Sequence, residues 1–270
     1  MLLPLLIWLG AAVDLVAQPV RRIEAVEATQ GAAADRDAVY AISNADIGKY
    51  DRATGRKIGA WHGDKAVFKH INSCTVIGRE LMCSASNYPG VPMESQIHWF
   101  DTRTMTLARS KSLGHGYGSL TWVVPHSGHY WACFANYAGK GGEPGRDSSF
   151  TTLVRYDRRW RETGHWSFPA EVIARMTPKS ASGGDWSEDG LLYVSGHDRP
   201  ELYAFRVPPK GGVLELVATI AMPTGGQAIG WDRREPRLLW SIGRGTGQVV
   251  GIAIVATSSS VPPAGGTRKA

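Results

Sequence analysis

The sequence predicts an all-β fold, a five-bladed β-propeller closed by an N-terminal strand. Three observations predict it. First, a short apolar run beginning near a turn recurs five times: VYAISN at 39–44, LMCSASN at 81–87, YWACFAN at 130–136, LLYVSGHD at 191–198 and LLWSIGR at 238–244. With Tyr40, Met82, Trp131, Tyr193 and Trp240 taken as equivalent, the copies stand 42, 49, 62 and 47 residues apart, a blade-sized period. Second, each copy sits in the same phrase of strand-like segments separated by polar turns. Third, 32 Gly and ten Trp supply many turns and many aromatic residues, which suit strands better than helical bundles. A composition of 43% hydrophobic and 20% charged residues excludes a wholly disordered chain.

The elements follow in order. In the first unit the turn AAADRDA at 32–38 leads into the recurring run. IGKYDRATG at 47–55 gives a third strand with its turn, and RKIGAW at 56–61 a fourth. The second unit reads CTVIGRE, the run, IHWFDTRTM and TLARSKSL; the third reads LTWVVPHSGH, the run, LVRYDRRWR and ETGHWSF. The fourth reads GGDWSEDG, the run, LYAFRVPPKGG and LELVATIAM. A repeated aromatic-Asp pair (Tyr50-Asp51, Phe100-Asp101, Tyr156-Asp157) places a packing ring beside a turn-opening carboxylate. The fifth unit, from AIGWDRREP, ends near Val255 without a fourth strand. RRIEAVEA at 21–28 is left over before the first unit, and would complete the last blade and remove the open edges of the ring.

Residues 1–17 read as a secretory signal, apolar but shorter than the roughly 20 residues of a bilayer span, with Ala17 before the cleavage point; the plainer reading is a truncated gene start or a buried strand. The expected organisation is therefore a signal at 1–17, a single propeller domain at 21–256 and a disordered Ser/Pro/Gly tail at 257–270. The expected location is secreted or periplasmic, with no transmembrane segment in the mature chain. Cys74 and Cys83 would face each other across a hairpin, where two buried thiols are expected rather than a strained bridge; Cys133 has no evident partner.

In a propeller the loops entering each first strand and those after each second strand open on one face. The opposite-face turns, such as Asp35-Arg36-Asp37 and Ser187-Glu188-Asp189-Gly190, read as solvated hairpin turns. The first face instead gathers His70, His115 and His197 from three blades. The longest loop, Asn136 to Phe150, lies there too, and long loops on rigid scaffolds often carry function. The candidate catalytic residues are His70, His115, His197, Tyr137 and Lys140. The candidate substrate-binding residues are Gln30, Asn72, Asn87, Tyr88, Tyr117, Asn136, Arg155, Asp198, Gln227 and Arg244. A plainer reading stands beside each: His70 and His115 as strand-end residues, His197-Asp198 as a turn pair, and the two Asn-Tyr dipeptides as repeated turn chemistry. Most tryptophans fall inside strands, where packing between blades is their default role.

The strand-one entrances offer Gln, Asn, His and Ser but no opposed carboxylates, a poor pattern for a glycoside hydrolase. No nucleophile elbow, zinc-protease helix or phosphate loop is present in context. Histidine is the natural base for a proton alpha to a uronate carboxylate, with Lys140 or Arg155 to neutralise the developing enolate. Alternatively, the three histidines can hold a divalent metal. The net charge of +6 fits an acidic carbohydrate or other small ligand, whereas scattered Lys and Arg give no nucleic-acid footprint.

Several motifs carry a resemblance: Gln30-Gly31 followed by Ala-x-Asp, GSLTW at 118–122, ANYAGKGGEPG at 135–145, TTLVRYD at 151–157, SGHDRPELY at 195–203 and GQAIGWDRREP at 226–236. Across about residues 27 to 250 the chain resembles a group of secreted bacterial and fungal β-propeller proteins that sometimes carry a generic cycloisomerase label. The resemblance implies the propeller and secretion, and little chemistry. More loosely, the histidine-rich face is similar to that of propeller polysaccharide lyases cleaving beside glucuronate, which have more blades. The leading expectation is thus a secreted lyase acting on an acidic sugar or glycan by β-elimination. The alternatives are a non-catalytic carbohydrate- or protein-binding propeller and a metal-dependent lactonase or isomerase.

Overall fold

A computed structural model describes residues 15–256; the first fourteen positions of the expected signal and the expected tail at 257–270 lie outside the described residues. Five small antiparallel sheets are arranged as a five-bladed β-propeller. Blade 1 comprises Gly31–Ala34, Ala38–Ile42, Asp46–Asp51 and Lys57–His62; blade 2 comprises His70–Ile77, Glu80–Ser86, Ser95–Asp101 and Thr106–Gly114. Blade 3 comprises Ser119–His126, His129–Ala135, Thr152–Tyr156 and Glu162–Ser167, with Gly212–Val213 added in parallel at its outer edge. Blade 4 comprises Gly183–Trp186, Leu192–Ser195, Glu201–Arg206 and Glu215–Ala221. In blade 5, Gly230–Trp231, Leu238–Gly243 and Gln248–Ala256 come from the end of the chain, and Leu15–Glu24 is the outermost strand.

Ring closure is therefore made by the N-terminal segment, running antiparallel from Leu15 opposite Ala256 to Glu24 opposite Gln248. The strand begins six residues earlier than the leftover segment at 21–28 indicated, and ends at Glu24, after which the chain turns towards blade 1. Leu15 and Ala17 pack against the apolar cluster shared by blades 4 and 5, which draws the strand back to Leu15.

Blades pack through apolar faces of opposite strands. Trp122, Trp166, Trp240, Tyr40 and Tyr193 are fully buried or nearly so. One cluster joins Trp122, Trp131 and Trp166 of blade 3 to Trp186 and Leu192 of blade 4. The helix Ala170–Met176, absent from the sequence reading, covers that cluster with Val172, Ile173 and Met176. Small residues let the inner strands converge: a Cβ on Gly31 would stand 2.5 Å from Ala228 Cβ. In the aromatic-Asp pairs, Asp51 and Asp101 accept backbone N–H bonds from two and three residues ahead, while Tyr50 and Phe100 are buried.

Polar ties lock neighbouring blades where the apolar contact ends. Asp232 of blade 5 is buried, accepts from Trp240 Nε1 at 2.8 Å and pairs with the largely covered Arg52 of blade 1 at 2.6 Å. Asp185 of blade 4 accepts from the Trp231 backbone N–H at 2.8 Å and pairs with Arg233. Burial raises the Asp185 carboxyl above its ordinary range, opposed by Arg233 and two backbone N–H groups. Cys74 and Cys83 form a disulfide, correcting the expectation of two thiols. They are directly opposed in the hairpin with Cα atoms 4.0 Å apart, the close spacing of a non-hydrogen-bonded pair. Cys133 is buried and unpaired.

Candidate functional site

The loop-bearing face brings together side chains from every blade around the axis. His70 opens the inner strand of blade 2, and its Nδ1 lies 2.6 Å from Oδ1 of Asn44 in the blade 1 loop. An amide oxygen only accepts, so Nδ1–H donates and the lone pair is left on Nε2. Burial, aided by the Lys179 ammonium and the neighbouring His197, pushes His70 down to about 4. The ring is thus a neutral imidazole at physiological pH. Its face lies 5.0 Å from the Tyr88 ring, which in turn meets Tyr137 of blade 3 edge-on at 5.3 Å.

Lys179, in the crossing from blade 3 to blade 4, ties these rings together. Its Nζ donates to the Tyr88 hydroxyl at 2.6 Å and stands 4.9 Å from the Tyr88 ring centre and 5.7 Å from that of Tyr137. The ammonium is held by a hydroxyl and two π faces, with no carboxylate partner among the described residues. Its charge is therefore uncompensated. Because the Tyr88 oxygen accepts from Lys179, its own proton is free to donate elsewhere.

From blade 4, His197 Nδ1 lies 2.7 Å from Asp198 Oδ1, which also accepts from Arg244 Nη1 of blade 5 at 2.8 Å. Arg244 additionally donates to the His197 carbonyl at 3.2 Å, fixing the loop. Burial lowers His197 and outweighs the opposing bond from Asp198, while Arg244 and Lys179 lower it further. Asp198 is held low despite its own desolvation by Arg244 and His197. This side of the site is a carboxylate-supported imidazole with Nε2 unspent.

The long loop shapes the rim. Gly141 approaches the Tyr88 ring so closely that any side chain there would run into it, and its φ of +81° also favours glycine. Glu143 accepts the Met93 N–H at 2.6 Å and Arg146 donates to the Tyr117 carbonyl at 2.7 Å, pinning the loop to its surroundings. Lys140 is exposed on the Gly139–Gly142 tip beside Tyr88.

Of the sequence candidates, His70, Tyr88, Tyr137, His197, Asp198 and Arg244 are brought together. The others are placed differently. His115 is exposed against the Met93 carbonyl, 3.1 Å from Nδ1. Asn72 is buried and bridges to the Leu120 carbonyl of the next blade, while Asn87 closes its own loop on Pro92 and Glu94. Asn136 is buried, donating to the carbonyls of Tyr117 and Phe150. Gln30 and Gln227 join blades through backbone atoms: Gln30 O accepts from Ala228 N, and Gln227 O from Ser195 Oγ. Two placements correct the sequence reading. The Tyr117 hydroxyl donates to Glu162 on the outer strand of blade 3, and Arg155 lies over Trp131 and Trp166 while donating to Thr163. Both side chains are drawn to the flank by local partners, so Arg155 does not serve as the carboxylate receptor.

Lys179 was missed. Its only sequence signal is a single basic residue beside Ser180, in the long crossing between the third and fourth units. Asn44, the last residue of the first recurring run, carries no role in the sequence reading. Among the described residues, no three His, Cys, Asp or Glu side chains converge as ligands for a metal ion. Nor does any helix among them have the length and apolarity to cross a membrane.

No protein-family model and no curated protein sequence matches the chain. Among solved structures it is similar to a luciferin-regenerating enzyme, with a TM-score of 0.55 at 11% identity over 92% of this chain and 96% of that one. It is also similar to the PQQ-bound aldose sugar dehydrogenase of Streptomyces coelicolor, with a TM-score of 0.57 at 9% identity over 90% of this chain and 99% of that one. At such identities the likeness is one of fold, and the propeller is what they share.

Proposed function

We propose that the protein is an extracytoplasmic propeller enzyme that cleaves an acidic sugar or glycan by β-elimination beside a uronate. The observation that carries this reading is the uncompensated Lys179 ammonium near neutral imidazoles, with its hydrogen bond leaving the Tyr88 proton free. Lys179 takes the part first given to Lys140 or Arg155, binding the uronate carboxylate. His197 Nε2 removes the proton from the carbon alpha to that carboxylate, and Asp198 steadies the resulting imidazolium. The electron pair moves into the carboxylate as an enediolate, whose growing charge Lys179 offsets. It then returns to form a carbon–carbon double bond as the β carbon–oxygen bond breaks, and the departing oxygen takes the Tyr88 proton. The products are an unsaturated uronate and a shortened chain with a new hydroxyl; solvent returns the proton from His197 to Tyr88. His70, held neutral by burial, stands beside Tyr88 without adding a second positive charge.

The Cys74–Cys83 disulfide supports an oxidising compartment, in keeping with the secretory reading of the N-terminus. That a fold neighbour is an aldose sugar dehydrogenase is compatible with a sugar ligand. The test is to incubate purified protein with a panel of uronate-containing glycans and follow the ultraviolet absorbance of the unsaturated product. Turnover is expected, lost in His197→Gln and Tyr88→Phe. Absence of product across the panel would sink the reading, and binding without turnover would favour a non-catalytic receptor.

A further inference from the structure

A groove of about 830 Å³ lies away from the histidine cluster, at the seam where the ring closes. It is bounded by the outermost strand of blade 5, by the blade 5 turn carrying Arg234 and Glu235, and by both opposite-face turns of blade 1. Five arginines line it (Arg21, Arg22, Arg36, Arg52 and Arg234) against three carboxylates. The carboxylates are spent internally. Glu235 takes Arg21 through two bonds of 2.9 and 3.0 Å and also takes Arg52 at 2.6 Å. Asp51 accepts the N–H groups of Ala53 and Thr54 in its own turn, and Asp37 pairs with its neighbour Arg36.

Two guanidinium groups are left over. Arg22 has one described bond, 3.3 Å to Gln248 Oε1, and Arg234 has one, 3.2 Å to the Arg36 carbonyl. Neither has an acidic partner among the described residues, and both are exposed. The floor beneath them is rigid, because Arg52 is buried between Asp232 and Glu235. A pair of unspent forks on a rigid floor, along an open groove, suits planar oxyanions repeated along a chain better than a single small anion.

We propose that this seam groove is a second binding site, one that holds an acidic polysaccharide through Arg22 and Arg234, separate from the histidine-rich site. The inference does not rest on the elimination reading: the groove binds whether or not the other face turns substrate over. Carboxylate and sulfate groups share the recognised chemistry, so two probes distinguish them, polygalacturonate and heparin.

Binding of each probe is measured by titration calorimetry at low and at raised salt, on wild type, Arg22→Ala/Arg234→Ala and Arg158→Ala, an exposed arginine of a blade 3 turn outside the groove. The expected result is binding that weakens with salt, falls about tenfold or more in the arginine double variant and is unchanged in Arg158→Ala. Arg22→Lys/Arg234→Lys keeps the charge but not the fork, and should recover only part of the loss. Thermal melting of the double variant should match wild type, since neither side chain belongs to the buried Arg52 network. Equal affinity in wild type and the double variant overturns the proposal. So does an equal loss of binding in Arg158→Ala, or failure of both probes to bind at low salt.

Discussion

Replacing His98 by Phe should remove much of the acid sensitivity of folding. His98 is 4% exposed, packs against Phe68 with ring centres 5.0 Å apart, and its Nδ1 lies 2.7 Å from Ser110 Oγ. Burial alone pushes it down to about 4 from an ordinary value of 6.5. Folding therefore favours the neutral imidazole. As pH falls through 6.5 the unfolded chain takes up a proton that the folded chain refuses until about pH 4. Stability is lost across that window and levels off below it. The full displacement corresponds to about 3.4 kcal/mol. Integrated to pH 5, about 2 kcal/mol of it has already gone. Urea unfolding of wild type and His98→Phe at pH 7 and pH 5 reads this directly. Any packing change caused by the larger ring cancels, because each protein is compared with itself. Wild type should lose about 2 kcal/mol more than the variant between the two pH values. Equal losses would refute the argument that the buried imidazole resists protonation.

Arg52→Met leaves the Asp232 carboxylate buried without its cation at the ring-closing seam, and should cost about 3–5 kcal/mol. For a chain of this size that is a fall of roughly 6–20 °C in Tm by calorimetry, and a negligible shift would contradict it. Lys179→Met removes a positive charge that depresses His70, so its titration followed by NMR should move upward from about 4 toward 6.5. An unmoved titration would place Lys179 outside electrical reach of the histidine. Breaking the Cys74–Cys83 link, which spans nine residues, should cost about 2.5 kcal/mol by chain entropy. A reductant should therefore lower the Tm of wild type while leaving Cys74→Ala/Cys83→Ala unchanged.

Repetition made the blades legible, because the alternation of strand and turn fixes both the number of blades and the face on which each loop opens. The closing strand was read short, since Leu15, Val16 and Ala17 have the composition of a leader as readily as that of an edge strand. Their pairing with Ala256, Val255 and Ile254 is a long-range fact that no local pattern carries. The cysteines show the same limit. The hairpin put Cys74 opposite Cys83, but whether thiols or a bridge fill the pair depends on how narrow that ladder position is, which becomes visible only in space.

Face and radius are separate coordinates, and the sequence supplies only the first. Tyr117 and Tyr137 were both assigned to the loop-bearing face of blade 3, yet they diverge. Tyr137 follows the second strand and turns inward to be buried against Tyr88, whereas Tyr117 enters the inner strand and reaches outward to Glu162. What separates them is the partner waiting at each radius, a property of the neighbouring blade rather than of the repeat. Lys179 shows the converse. The third and fourth repeats are the most widely spaced, and the additional chain carries a helix that covers the Trp166 cluster before delivering Lys179 toward the axis. A repeat-based search discounts such insertions as irregular spacing. In this propeller the irregular crossing supplies an uncompensated cation to the histidine cluster. The place to look for chemistry in a divergent propeller is thus where the period is broken, once the period itself has fixed which way the break faces.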